Sequence, residues 1–255
     1  MATAISTIWS KHMTKFVGDA EEWMATLFSP ILWILLFGAG MKAMMGDMPI
    51  AATDVPYIAF MAPGIVALTA LSGAVNGGAT LLDEKLRGIL KEYLVAPIPR
   101  LSILLGNMLS NVTKSLLQAI LILIVALLMG ASLAGHPAGW LLGLVLMTVF
   151  ALGFVGIASG VAMKAPSTGA YHALIFLLNL PLLFASNALY PIDVMPTWLK
   201  VIAYANPTTY IVDVTRYLWF GAPATISLWL SVGVIVVWGA LGTWFGYAAF
   251  KSAVK

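Results

Sequence analysis

Apolar residues come in long blocks and charged ones in short gaps between them. Stretches free of Asp, Glu, Lys and Arg cover residues 23–41, 55–82, 115–163, 165–192 and 217–250. A helix crosses a bilayer with about 20 predominantly apolar residues, so each block predicts a crossing. The third block is long enough for two and breaks at the turn-rich cluster 130–137. The pattern therefore predicts six spans, at roughly 23–42, 57–82, 102–130, 138–163, 170–190 and 226–249.

Two segments depart from this rhythm. Residues 1–20 mix Ile5, Ile8, Trp9 and Phe16 with Lys11, His12 and Lys15, the composition of a helix lying in the membrane interface. Residues 191–223 are apolar but broken by Pro191, Pro196, Pro207, Gly221 and Pro223. Two short helices fit between these breakers, at 197–204 and 208–220. Neither is long enough to cross, so both are expected on the outer face, dipping partly into the bilayer and packed on protein, where their irregular backbone is satisfied.

Composition agrees with the pattern. Of 255 residues, 61% are hydrophobic and 9% charged, with a mean hydropathy of +0.98. A water-soluble domain carries about a quarter charged residues. The expected fold is a single all-α transmembrane domain over 1–255, multi-pass in the cytoplasmic membrane. Lys and Arg set its orientation. With the N-terminus inside, Lys11, Lys15, Lys85, Arg87, Lys91, Arg100, Lys164, Lys251 and Lys255 fall inside, against Lys42, Lys200 and Arg216 outside. Lys114 snorkels near the inner start of the third span. Both termini are then cytoplasmic. The first block is preceded by Asp19, Glu21 and Glu22 rather than by a basic region, so it reads as a retained span and not a signal peptide. There are no cysteines. No basic run interleaved with aromatics suggests nucleic acid. His12 and His136 lack neighbours at metal-ligand spacing.

The densest charge lies between the second and third spans. Residues 83–100 hold seven of the 23 charged side chains: Asp83, Glu84, Lys85, Arg87, Lys91, Glu92 and Arg100. A helix is expected from Asp83 through Leu94, stopped by Pro97 and Pro99. Leu86, Leu90 and Tyr93 would share one face and the charges the other, as in a helix offered to a partner's groove.

That island, with Gly88 nine residues before Pro97, resembles the coupling segment of membrane subunits of type-2 ATP-binding-cassette exporters. The runs Ser186–Pro191, Met195–Leu199 and Asn206–Arg216 are similar to the same family, as is Ser29-Pro30-Ile31 leading to Phe37-Gly38. Drug exporters of the daunorubicin-resistance type share these features. One departure is Ile89-Leu90-Lys91, where many relatives have Thr-Leu-Glu after the coupling glycine.

The resemblance implies a working arrangement. Two copies, or two related subunits, form a pore near their shared axis. Two ATPase subunits bind the coupling segments, 83–99, and ATP closure there moves the membrane halves. ATPase docking falls to Asp83, Glu84, Lys85, Leu86, Arg87, Gly88, Leu90, Lys91, Glu92, Tyr93 and Pro97. The outer gate, 191–223, includes Pro191, Pro196, Trp198, Asn206, Pro207, Asp213 and Arg216. ATP and Mg belong to the partner. The chain itself has no Gly-x-x-x-x-Gly-Lys-[Ser/Thr] phosphate loop and no Gly-Lys pair at all.

Polar residues recur inside two spans. Thr69, Ser72, Asn76 and Thr80 fall on one arc of the second, flanked by Gly73 and Gly77. His172, Asn179 and Ser186 recur every seven residues in the fifth. Such stripes either line a substrate path or pack helices. Asp213 and Arg216, three apart, are expected to pair. Two other functions compete with this reading. A secondary transporter or channel usually carries carboxylates within its spans, and none lies centrally here. An intramembrane serine protease would need Ser159 and His172 to meet.

Overall fold

The computed structural model describes residues 1–45, 55–95, 98–134 and 136–253. Pro97, one of the expected docking residues, lies outside them, as do Gly46, Asp47, Pro49 and Asp54 of the expected first outer loop. The described chain is helical: α1 (Ala2–Gly18), α2 (Ala20–Met45), α3 (Tyr57–Leu86), α4 (Ile89–Val95), α5 (Arg100–Leu128), α6 (Pro137–Lys164), α7 (Thr168–Phe184), a 3-10 turn (Ile192–Val194), α8 (Thr197–Ala205), α9 (Pro207–Phe220) and α10 (Leu228–Ala253). Among the described residues, α3, α5, α6 and α10 are long and apolar enough to cross a membrane.

Local chemistry sets the boundaries. Asp19 Oδ1 accepts from the backbone N–H groups of Glu21 and Glu22, starting α2. His136 and Asn206 cap α6 and α9, each followed by a proline at the first helical position. Ser167 Oγ accepts from Ala170 N at the start of α7. The helix α7 stops at Phe184, short of the expected residue 190, because Pro181 weakens its last turn and the chain folds back through 185–190.

Helix α3 is the axis of the bundle, buried on most of its circumference by α5, α6, α2, α7 and α9. The tightest pair is α6 with α10. Both carry glycines at spacings of three and four: Gly153, Gly156 and Gly160 against Gly239, Gly242 and Gly246. A Cβ on Gly156 would strike the carbonyl of Gly242, and one on Gly242 the carbonyl of Gly153. Small residues let backbones approach to van der Waals contact, which is what drives helix association in lipid, where burial from water is no longer a force.

Polar contacts then divide the bundle into two ends. Lys11, His12, Glu84, Lys85 and Tyr93 gather at the α4 end. Arg216, Asn187, Trp140 and Trp219 gather at the other.

Candidate functional site

At the α4 end, the expected single helix over 83–94 is two. Gly88 adopts φ +82°, a left-handed conformation that glycine takes without steric cost. It ends α3 and restarts the chain as α4. The break takes Leu90 out of line with Leu86. Leu90 is buried in the core, Tyr93 is half-buried beside Lys11, and only Leu86 is exposed. The expected apolar face for a partner is thus corrected: most of it seals α4 onto the protein itself.

The charges of the island divide in the same way. Glu84 is only 5% exposed, and its Oε1 accepts from Lys11 Nζ at 2.6 Å. Lys11 also donates to the Tyr93 hydroxyl. Lys85 Nζ donates to the carbonyls of Met163 (2.7 Å) and Ala165 (3.3 Å), which end α6. A cation is favoured there by the helix dipole. Asp83, Arg87, Lys91 and Glu92 remain exposed, with Arg87 Nε bonded to Asp83 Oδ1 at 2.8 Å. Of the eleven expected docking residues, Glu84, Lys85, Leu90 and Tyr93 therefore fasten the segment inward, and the outward face consists of Asp83, Leu86, Arg87, Lys91 and Glu92 around Gly88.

The amphipathic helix α1 packs along α5 and carries Lys11 to the island. Burial alone would lower the Lys11 pKa, but its bonds to Glu84 and Tyr93 and the charge of Glu84 outweigh that and raise it. His12, one residue on, is buried, and its Nε2 has no hydrogen-bond partner among the described residues. Burial pushes its pKa down; Glu84 opposes the shift, and Lys11, Lys114 and Lys15 add to it. Lys114 does not simply snorkel: its Nζ meets Glu22 Oε1 at 2.5 Å, tying α5 to α2.

Between the two ends lies a polar seam that the sequence pattern left unnoticed. Asn107, Asn111 and Ser115 follow one another at intervals of four on α5, with Ser110 and Gln118 alongside, all buried. The spacing was the available signal. Asn111 lies over Gly77 and Ser115 over Gly73, so the two α3 glycines admit polar side chains of α5. The expected α3 stripe separates accordingly. Thr69 is buried and its hydroxyl bonds to Val66 O; Thr80 is half-buried and bonds to Asn76 O. Ser72 and Asn76 are exposed, and between Tyr57 and Leu82 they are the only exposed residues of α3. On the fifth-span stripe, His172 is exposed and Ser186 is buried against Leu183 O. Asn179 lines a cavity of about 310 Å³ between α3, α6, α7 and α10, otherwise walled by apolar groups such as Leu71, Phe154, Ile175 and Trp238. Ser159 is fully buried on α6 while His172 is exposed, and no hydrogen bond joins them among the described residues, so the protease dyad is not assembled.

At the opposite end, the expected pairing of Asp213 with Arg216 is corrected. Asp213 accepts from Thr225 N (3.2 Å) and Ile226 N (3.0 Å), the free donors just ahead of α10. Arg216 donates from Nε to Phe60 O (3.0 Å) and from Nη2 to Asn187 O (2.8 Å), and its guanidinium lies 3.7 Å from the centre of the Phe60 ring. Backbone groups of neighbouring segments take up each side chain instead: the orphan N–H donors ahead of α10 for Asp213, and the carbonyls of Phe60 and Asn187 for Arg216. The side-chain amide of Asn206 donates to Leu182 O and Ala185 O, capping the end of α7. Pro207 opens α9, Pro191 and Pro196 flank the 3-10 turn, and Trp198 is exposed on α8.

Comparison with known proteins gives a consistent result. Residues 3–220 match the family model described as ABC-2 type transporter. The chain is 32% identical over 194 residues to a putative transport permease ycf38 of Cyanophora paradoxa, covering 76% of this chain and 66% of that protein. It is 26% identical over 230 residues to nodulation protein J of Rhizobium leguminosarum bv. viciae, covering 84% and 81%. It is 22% identical over 203 residues to a probable multidrug ABC transporter permease, YbhR, of Escherichia coli K12, covering 79% and 54%.

Proposed function

Because this chain belongs to the ABC-2 type transporter family, we propose that it works as the membrane permease of an ATP-driven exporter whose nucleotide chemistry resides on a separate ATPase subunit. The divided island carries this reading. Glu84 and Lys85 fasten the end of α3 to α1 and α6, and Tyr93 and Leu90 fasten α4 to α1 and the core, while Asp83, Leu86, Arg87, Lys91 and Glu92 stay exposed around Gly88. A push on that outward face is delivered to several helices at once, because the inward face is bonded rather than loose.

In this arrangement α2 and α7 complete six crossings with α3, α5, α6 and α10, and α4 faces the cytoplasm. A second copy, or a related subunit, covers the open side of α3. A helix whose only exposed residues within the span are Ser72 and Asn76 is poorly suited to lipid and well suited to a hydrated path between two protomers. The segment 191–223, with Arg216 on α9, forms the outer gate. The substrate is amphipathic, a drug, lipid or glycolipid, in keeping with an apolar cavity offering one amide, Asn179. ATP and Mg bind the partner.

The test is co-purification with an ABC ATPase subunit expressed together with this chain. Arg87→Glu with Lys91→Glu removes the complex while the chain stays folded. Retention of the complex by that variant contradicts the proposed docking face.

A further inference from the structure

Asn179 is a polar side chain set at hydrocarbon depth. It stands about 16 Å along α7 from Thr168, at about 1.5 Å per residue, near the middle of a hydrocarbon core about 30 Å thick. Its side chain lines the cavity of about 310 Å³ between α3, α6, α7 and α10, and it makes no hydrogen bond among the described residues. A polar group at that depth is costly unless something meets it. The cavity in front of the amide is where a bound molecule would do so.

The rest of the wall narrows what the cavity accepts. Leu71, Phe154, Ile175 and Trp238 make it apolar, and no charged side chain lines it among the described residues. Trp238 Nε1 is buried and turned onto Gly153, so it offers nothing inward. An ion brought here would lose its water and gain no opposite charge. A hydroxyl suits Asn179: it accepts from Nδ2 or donates to Oδ1, whichever way the amide is turned. The volume is at the small end of ligand pockets, about 300–1,000 Å³, so it suits one chain or ring system and not a two-chain lipid. The way in is from the side. Leu177, Leu178 and Pro181 of α7 line the cavity and are also exposed on the bundle. Helix α7 packs on α3 and only lightly on α6 and α9, and α10 is not among its main neighbours. On α3 the cavity meets Leu71 and Ala74, turned about 100° or more around the helix from Ser72 and Asn76. The opening is therefore distinct from the polar stripe of α3.

We propose that this cavity binds an uncharged, mainly apolar molecule with one hydroxyl group, which enters from the bilayer between α7 and α10 and bonds to Asn179. The walls select against charge, and the amide selects the hydroxyl. That such a molecule is the exported cargo rests on the transport reading above; that it binds does not.

The test is photolabelling of the full chain in lipid nanodiscs, without an ATPase or ATP, by decanol carrying a diazirine in its chain. Peptide mapping should place the adducts on residues that line the cavity, and unlabelled decanol should compete for them. One neutral hydrogen bond is worth about a fivefold preference, so decanol should compete at about a fifth of the membrane-phase concentration that decane needs. Asn179→Leu should remove that difference while labelling persists. Leu178→Trp, at the mouth, should lower labelling several-fold, whereas Phe176→Trp, exposed on α7 outside the lining, should leave it unchanged. Unchanged thermal unfolding shows that the variants are folded. If Leu178→Trp is not, the comparison of decanol with decane in the wild type and in Asn179→Leu serves alone. Adducts only outside the cavity, equal competition by decanol and decane in the wild type, or a difference that survives in Asn179→Leu overturns the proposal. Cavity labelling in a chain that exports nothing with its ATPase upholds the site and removes the transport reading.

Discussion

Lys11 and Glu84, 73 positions apart in sequence, meet at 2.6 Å with the carboxylate almost fully buried. The contact makes α1 and the end of α3 one mechanical unit, with Tyr93 of α4 drawn in by the same amine. A buried charge left without its partner is strongly destabilising, so the pair holds the island in a fixed pose.

Removing either member should loosen that pose. Lys11 is partly exposed, so Lys11→Met should cost between the ~1 kcal/mol of a surface pair and the ~3 kcal/mol of a buried one. Turnover of ATP by the assembled complex should persist while export falls several-fold. Glu84→Gln should act the same way, since a neutral amide still bonds but no longer balances the amine. Export and ATP turnover that fall in parallel would assign the pair to folding alone.

The same corner should respond to acid. The pKa of His12 is lowered in the folded state, so the undocked helix binds the proton more readily. Docking of α1 is therefore fully favoured above the ordinary histidine value of about 6.5 and is lost as pH falls from there through the lowered value. Protection of the α1 amides, corrected for the intrinsic slowing of exchange in acid, should decline as pH falls below the ordinary histidine value of about 6.5, and His12→Phe should flatten the profile. Lys11, Lys15, Lys114 and Glu84 face or adjoin the ring.

Arg216 should tolerate no lysine. Its fork reaches Phe60 O and Asn187 O in different directions while its plane covers the Phe60 ring, and an ammonium cannot do all three. Arg216→Lys and Arg216→Ala should each lower stability by about 1.5–3 kcal/mol per charged hydrogen bond lost, and raise ATP turnover uncoupled from export. Thermal unfolding and a coupling ratio measure the two effects.

The α6–α10 contact should be intolerant of even a methyl group. Gly242→Ala places a Cβ against the Gly153 carbonyl and should lower the unfolding temperature markedly, whereas Gly233→Ala on the same helix meets nothing within 4 Å. The latter should be neutral or stabilising by up to about 1 kcal/mol, the difference in helix propensity. Equal effects would contradict the packing.

Asn76→Leu and Ser72→Leu should leave the fold intact, since both residues are exposed. If the stripe faces a hydrated path, stimulation of ATP turnover by substrate should fall. If stimulation and export are unchanged, the stripe is no part of the path.

Much of the helical layout was legible because it follows from block length and from Pro, Gly and Asn punctuation. Helices α8 and α9 fall almost where Pro196, Pro207 and Gly221 put them. What escaped depends on contacts distant in sequence. Nothing around Glu84 distinguishes it from Asp83, yet one faces Lys11 and the other water. Asp213 and Arg216 look like a local pair because helix spacing permits it, and the competing backbone groups come from residues 60, 187, 225 and 226. Gly88 stands out in the sequence as a motif residue, but its φ decides that the island is two helices. The α5 seam at 107, 111 and 115 was visible as a period of four and hidden by the apolar background.

The central claim is that a separate ATPase drives this chain through the outward face of the island. It is tested most directly in proteoliposomes containing the chain with its ATPase, loaded with a fluorescent amphipathic dye. Dye movement should require ATP and the ATPase subunit, and should stop when the phosphate-loop lysine of that subunit is replaced. Movement of the dye by this chain alone, at the same rate without ATP, would contradict the account.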